Sequence, residues 1–153
     1  MSLFFTFYGE ADVSTDDLLR LIAAAVGGSL GDRDTVFVPG MNVTAHRVDE
    51  DEEDSTGQYF GFLERITATF NFDNLSSEEV TEHNTALMAV AVLAVFDRYP
   101  GRGVLLFNGE RAVLGRLSDK VVFDSDWDDW SEMSEVLPLV AANETGKLPQ
   151  PLI

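Results

Sequence analysis

The segment NLSSEEVTEHNTALMAVAVLAVFDRYPG, Asn74 to Gly101, constrains the fold of this chain more than any other. Its apolar run, Ala86 to Phe96, is 11 residues long. A membrane span needs about 20, so the run predicts a buried core helix. Ser76 and Glu79 are spaced as a capping box, with Leu75 and Val80 as the hydrophobic staple. Pro100 ends the helix, because the residue before a proline avoids the helical region. The apolar surface is nearly continuous over the last three turns, which makes this helix central.

The flanking sequence says what surrounds it. Residues 2–8, rich in Phe and Leu, read as a strand. DVSTDDLLRLIAAAVGG reads as a helix capped by Ser14, with Asp17 at the third position, Val13 and Leu18 as staple, and Gly27-Gly28 as terminator. TVFVPGMNVTAHRV gives two short strands broken at Pro39-Gly40. In RITATFNF, Ile66, Ala68, Phe70 and Phe72 alternate with Arg65, Thr67, Thr69 and Asn71, as in a sheet with one wet face. Asn108-Gly109 is a two-residue hairpin turn, and Ser118-Asp119 a second turn, giving a three-strand meander. A short helix near 127–136 and an extended tail follow. The expectation is one α+β domain over 1–153. It is an antiparallel sheet of about six strands with two main helices packed on one face. The other face is partly polar and open, carrying Thr44, His46, Arg65, Thr67, Thr69 and Asn71.

Charge narrows the function. Ten Lys and Arg stand against 27 Asp and Glu, a net −17. Such a surface repels nucleic acid and anionic lipid and attracts basic partners. Neither a nucleic-acid nor a membrane partner is therefore expected. Cysteine is absent, which excludes disulfides and Cys-ligated metal centres. The N-terminus MSLFFTFYGE lacks the basic start of a signal peptide, so a cytoplasmic location is expected. A halophilic host would produce the same acidity with few lysines, and the chain has only Lys120 and Lys147.

Two acidic stretches stand out. One is Asp49, Glu50, Asp51, Glu52, Glu53 and Asp54, six adjacent acids that must face water or a basic surface. The other is DSDWDDWSE, with Asp124, Asp126, Asp128, Asp129 and Glu132 around Trp127 and Trp130. Asp124, Asp126, Asp128, Glu132 and Glu135 fall at ligand positions of an EF-hand frame, but Asp129 replaces the turn glycine and no helix enters the loop. The stretch also reads as a helix start with Asp126 as N-cap. Trp127 and Trp130, three apart, then share a face that packs on the core or is left as an interface anchor. His46 and His83 lack metal-ligand spacing, and no nucleophile elbow, P-loop or dinucleotide fingerprint is present. Neither a cofactor nor an enzymatic activity is expected. A metal-binding or hydrolytic domain built on the carboxylates, and an acidic structural domain of a halophile, are the alternatives.

From Ile66 to Glu132 the order ITATFNFDN, ALMAVAVLAVFDRYPG, GVLLFNGERAVLGRLSDKVVF and an acidic Trp-containing end resembles a known family. It is the third type of the swarming-inhibition (Sit) toxin immunity proteins, found with polymorphic bacterial toxins. FDSD stands where that pattern leads one to expect basic residues. The resemblance implies a protein that binds and blocks a cognate toxin in the cytoplasm, with no catalytic residues. On charge, that toxin is expected to be basic, such as a nuclease. The acids of 49–54 and 124–132 would steer it and Trp127 or Trp130 would anchor it. The open sheet face is the alternative docking site.

Overall fold

The computed structural model describes residues 3–49 and 56–151. Strands β1 (Leu3–Gly9), β2 (Ser29–Gly31), β3 (Thr35–Val38), β4 (Met41–Arg47), β5 (Ile66–Phe72), β6 (Gly103–Phe107), β7 (Arg111–Arg116), β8 (Val122–Asp124) and β9 (Glu144–Gly146) form one sheet in the order β2-β3-β4-β5-β1-β6-β7-β8-β9. All neighbours are antiparallel except β8 and β9, which run parallel. Helices α1 (Thr15–Val26) and α2 (Glu78–Arg98) are the long ones, and α3 (Asp129–Glu132) and α4 (Leu137–Ala141) are single turns. A 3-10 helix spans Thr56–Phe60. Among the described residues no helix is long and apolar enough to cross a membrane.

The α+β class holds, but nine strands replace the expected six or so. The surplus comes from three-residue edges, β2 and β9, whose sequences SLG and ETG carry no alternation. The tail is not simply extended, because α4 precedes β9.

α1 and α2 lie on one face for the reason the sequence gives. Leu18, Leu19, Ile22 and Val26 turn inward from α1, and Met88, Ala89, Val92, Val95 and Phe96 from α2. They meet Phe5, Phe7, Val43, Ala45, Ile66, Phe70 and Leu105 from the sheet. Burying side chains of this size contributes about 1.5–3 kcal/mol each. Ser14 caps α1 by accepting the Asp17 N–H at 3.2 Å, and Gly27 ends it at φ 65°. The α2 cap lies one residue beyond expectation. Ser77, not Ser76, accepts the Val80 N–H at 3.3 Å, and Leu75 is 94% exposed, so no staple forms. At the other end Arg116 donates to the carbonyls of Phe96, Tyr99 and Gly101 at 2.8–2.9 Å. This satisfies backbone acceptors that a helix C-terminus leaves open. Burial lowers its pKa, partly offset by Asp97.

The opposite face is divided. Row by row across β3, β4, β5 and β1 the register sets Phe37, Asn42, Asn71 and Phe4 side by side, then Thr35, Thr44, Thr69 and Thr6, then His46, Thr67 and Tyr8. The second row continues into Leu106 and Ala112, and the third into Val104 and Gly115. The change from polar to apolar falls between β1 and β6. There Phe60 and Phe62, from the segment after the acidic stretch, and Leu148 from the tail cover Val104, Leu106 and Ala112 as a second small core. Glu10 pins the first cover. It accepts from Arg102 N, Nε and NH2, while Arg102 NH1 donates to Gly61 O at 2.7 Å. These bonds from Arg102 hold the Glu10 carboxyl below the usual range.

Candidate protein-interaction surfaces

The acidic tryptophan stretch is shared between interior and surface. Asp124, the last residue of β8, is 2% exposed. Its Oδ2 meets Arg111 NH2 at 2.9 Å, and its Oδ1 accepts the Leu148 N–H at 3.1 Å. Asp124 therefore holds the tail against the sheet and presents no carboxylate to a partner or a cation, which corrects its place in the expected surface. Trp130 is also internal, at 3% exposure. Its indole N–H donates to Val113 O at 2.6 Å and its ring stands edge-on to Phe123 at 5.2 Å. Trp127 is half-buried against Phe107 at 4.8 Å and Phe5 at 6.4 Å, with the Arg111 guanidinium 5.7 Å over its ring. The spacing of three does put both rings on one side, and that side faces the core. Trp130 is therefore excluded as a surface anchor, and Trp127 is only partly exposed.

The remaining acids of the stretch are outside. Asp126, Asp128 and Glu132 are exposed and Asp129 is half-buried. α3 begins after Asp128, which makes no side-chain cap bond, so the expected cap at Asp126 does not form. Partial burial pushes the Asp129 carboxyl above the usual aspartate range, and the charges of Glu132 and Asp128 add to the shift.

A second group of acids, distant in sequence, joins them. Glu82 Oε1 accepts from Ser134 Oγ at 3.1 Å and from the Glu135 N–H at 3.4 Å, and His83 Nδ1 lies 2.9 Å from Glu135 Oε1. These bonds bring the first turns of α2, with Glu78, Glu79 and Glu82, against the segment after α3. The result is an acidic ridge built from two elements. Among the described residues, the Arg and Lys side chains that form ion pairs do so elsewhere: Arg20 with Asp17, Arg47 with Asp12, Arg102 with Glu10, Arg111 with Asp124 and Lys120 with Glu144. Neither histidine belongs to a metal cluster, since no three His, Asp or Glu side chains converge among the described residues.

Of the other acidic stretch, Asp49 is exposed, whereas Glu50, Asp51, Glu52, Glu53 and Asp54 lie outside the described residues. The chain returns through Tyr59 and Leu63, exposed by 71% and 59%. The open part of the sheet carries Thr44 and His46, both exposed, with half-buried Thr67, Thr69 and Asn71. Several of its polar groups satisfy one another, as in Thr6–Thr69 and Asn71–Asn42, each at 3.3 Å.

Sequence reasoning missed an apolar groove of about 370 Å³ between the end of α1, the turn after β3 and the start of α2. Val26, Val38, Pro39, Val80 and Leu87 line it, with Glu79 and His83 at its margin. Pro39-Gly40 was legible only as a strand break. Nothing in the sequence places the break opposite Val80.

No curated protein and no solved structure matches this chain. The family model of the SitI3-like proteins matches residues 3–134, from the first strand through both long helices, the meander and the acidic tryptophan segment. The chain belongs to the SitI3-like family.

Proposed function

We propose that this chain is an immunity protein that binds a cognate bacterial toxin in the cytoplasm and neutralises it by occlusion. The observation that carries the reading is the family match over residues 3–134. Charge supports a basic toxin. At −17 the chain attracts cations from a distance. The acids of the α2–α3 ridge are left without an Arg or Lys partner among the described residues. Asp126, Asp128, Asp129 and Glu132, with the acids of 49–54, steer the encounter. With Trp130 internal and Trp127 mostly covered, the apolar centre that affinity requires lies elsewhere on the surface.

The test is protection. The toxin encoded beside this chain's gene is expressed in a sensitive bacterium with and without the chain, and the two purified proteins are mixed. Restored growth and a stoichiometric complex on gel filtration are expected. Continued killing in the presence of abundant, folded chain overturns the reading.

A further inference from the structure

Taking the immunity reading as its premise, we infer that the groove between α1, α2 and the turn after β3 receives an apolar side chain of the toxin. On the toxin, that side chain is flanked by Lys or Arg that meet Glu78 and Glu79. Three observations converge on this end of the molecule.

The first is a preformed shape. Gly40 adopts φ 82°, and a Cβ there would lie 2.6 Å from Val80 Cγ1 and 2.7 Å from Ser76 Oγ. The turn is thus pressed directly onto α2. Asn84, 1% exposed, donates to Pro39 O at 2.9 Å, and the Asp73 N–H donates to Gly40 O at 2.9 Å. A wall held by a buried amide needs little ordering on binding, which favours affinity.

The second is the placement of apolar surface. Of the six large hydrophobic side chains exposed among the described residues, two belong to elements bordering this region on the helix side. They are Leu75 at 94%, just before α2, and Leu30 at 49%, on edge strand β2. Exposed apolar groups gathered around a concavity and rimmed by charge mark contact sites.

The third is charge, and it decides the occupant. Glu78 and Glu79 are exposed on the first turn of α2, Glu79 at the groove itself and Asp73 just before the helix. The acidic ridge with Glu132 and Glu135 continues from the same turns. An apolar hole beside uncompensated carboxylates suits an apolar side chain set among cations. On the bare half of the sheet the exposed Phe37 is set among threonines and asparagines, some bonded to one another as in Thr6–Thr69 and Asn71–Asn42.

The experiment uses the full chain and the purified toxin domain encoded beside it, in an inactive form. Val80→Trp fills the groove, and Glu78→Lys/Glu79→Lys reverses the rim at exposed positions of the first turn of α2, where the melts check that the lost helix-dipole interaction leaves the chain folded. Binding is followed by calorimetry and stopped flow, folding by thermal melting, and contacts by hydrogen exchange. We expect Val80→Trp to weaken binding by about 100-fold, mostly through dissociation. The double reversal should slow association about 10-fold at low salt. Exchange protection in the complex should fall on 38–40 and 78–87. Folded variants that bind and protect like the unaltered chain overturn the inference. So does protection confined to Thr44–His46 and Thr67–Asn71. In both cases the immunity reading stands. If the unaltered chain neither binds nor protects, both fall.

Discussion

Replacing Asp124 separates a structural carboxylate from a partner-facing one. Its side chain makes two contacts, the ion pair with Arg111 at 2.9 Å and acceptance of the Leu148 N–H at 3.1 Å, while itself 2% exposed. Removing one member of a fully buried pair costs about 3–5 kcal/mol. Arg111 keeps 36% of its side chain exposed, so water recovers part of the loss. Losing the charge-assisted bond to Leu148 adds about 1.5 kcal/mol. Asp124→Ala should therefore destabilise by roughly 2–4 kcal/mol in total. In a chain of this length that lowers the melting temperature by roughly 4–16 °C. Asp124→Asn keeps an acceptor for Leu148 and should lose about half as much. Asp124→Leu/Arg111→Met, which removes both charges, should recover much of the loss. The assays are thermal melting and hydrogen exchange at residues 144–150, where the tail should open first. A melt unchanged to within a degree, with toxin binding lost, would refute the structural role and return Asp124 to the contact surface.

Three further outcomes are expected. Trp130→Phe leaves the Val113 carbonyl without its 2.6 Å donor and should destabilise by about 1–3 kcal/mol in a urea melt, with toxin affinity retained in the folded fraction. The Asp129 carboxyl is shifted upward by folding, so its ionised form penalises the folded state fully above its folded pKa; the penalty fades as pH falls from there toward the unfolded value of about 4 and is gone below it. Asp129→Asn should accordingly stabilise at pH 7 and not at pH 3, by melts at both. Neutralising Asp49, Glu50, Asp51, Glu52, Glu53 and Asp54 to Asn and Gln should slow toxin association and flatten its salt dependence; an on-rate unchanged at low salt rules the loop out as a steering element.

The parts legible in the sequence were those specified locally. Strict alternation from Ile66 to Phe72 fixed both the strand and its buried face, and Asn108 and Gly109 take the positive φ values, 49° and 72°, of a two-residue hairpin turn. The Ser76–Ser77 pair offered two neighbouring caps with equal chemistry, and the pattern alone chose the wrong one. β2 and β9 were missed because three-residue edge strands are made by what lies beside them. The candidate surface was legible only as charge. Asp124 and Asp126 are two residues apart in an acidic run, yet one is locked under the tail and the other faces water. That difference depends on Arg111 and Leu148, not on neighbouring letters. The groove, drawn from three separate segments, left no local mark.

The family match ends at residue 134, while part of the cover on the second small core, Leu148 beside Phe60 and Phe62, comes after it. Leu148 fills that core, and Gln150 completes the seal. Its amide takes the Ala112 N–H at 2.8 Å and gives a hydrogen bond back to Ala112 O at 3.0 Å, as one residue of an added strand would. A relative sharing only the matched region must replace the part of the cover over Val104, Leu106 and Ala112 that Leu148 and Gln150 supply here, with a different tail or a neighbouring molecule. Two members of the family with the same helices can therefore differ in how much of the opposite sheet face is left open.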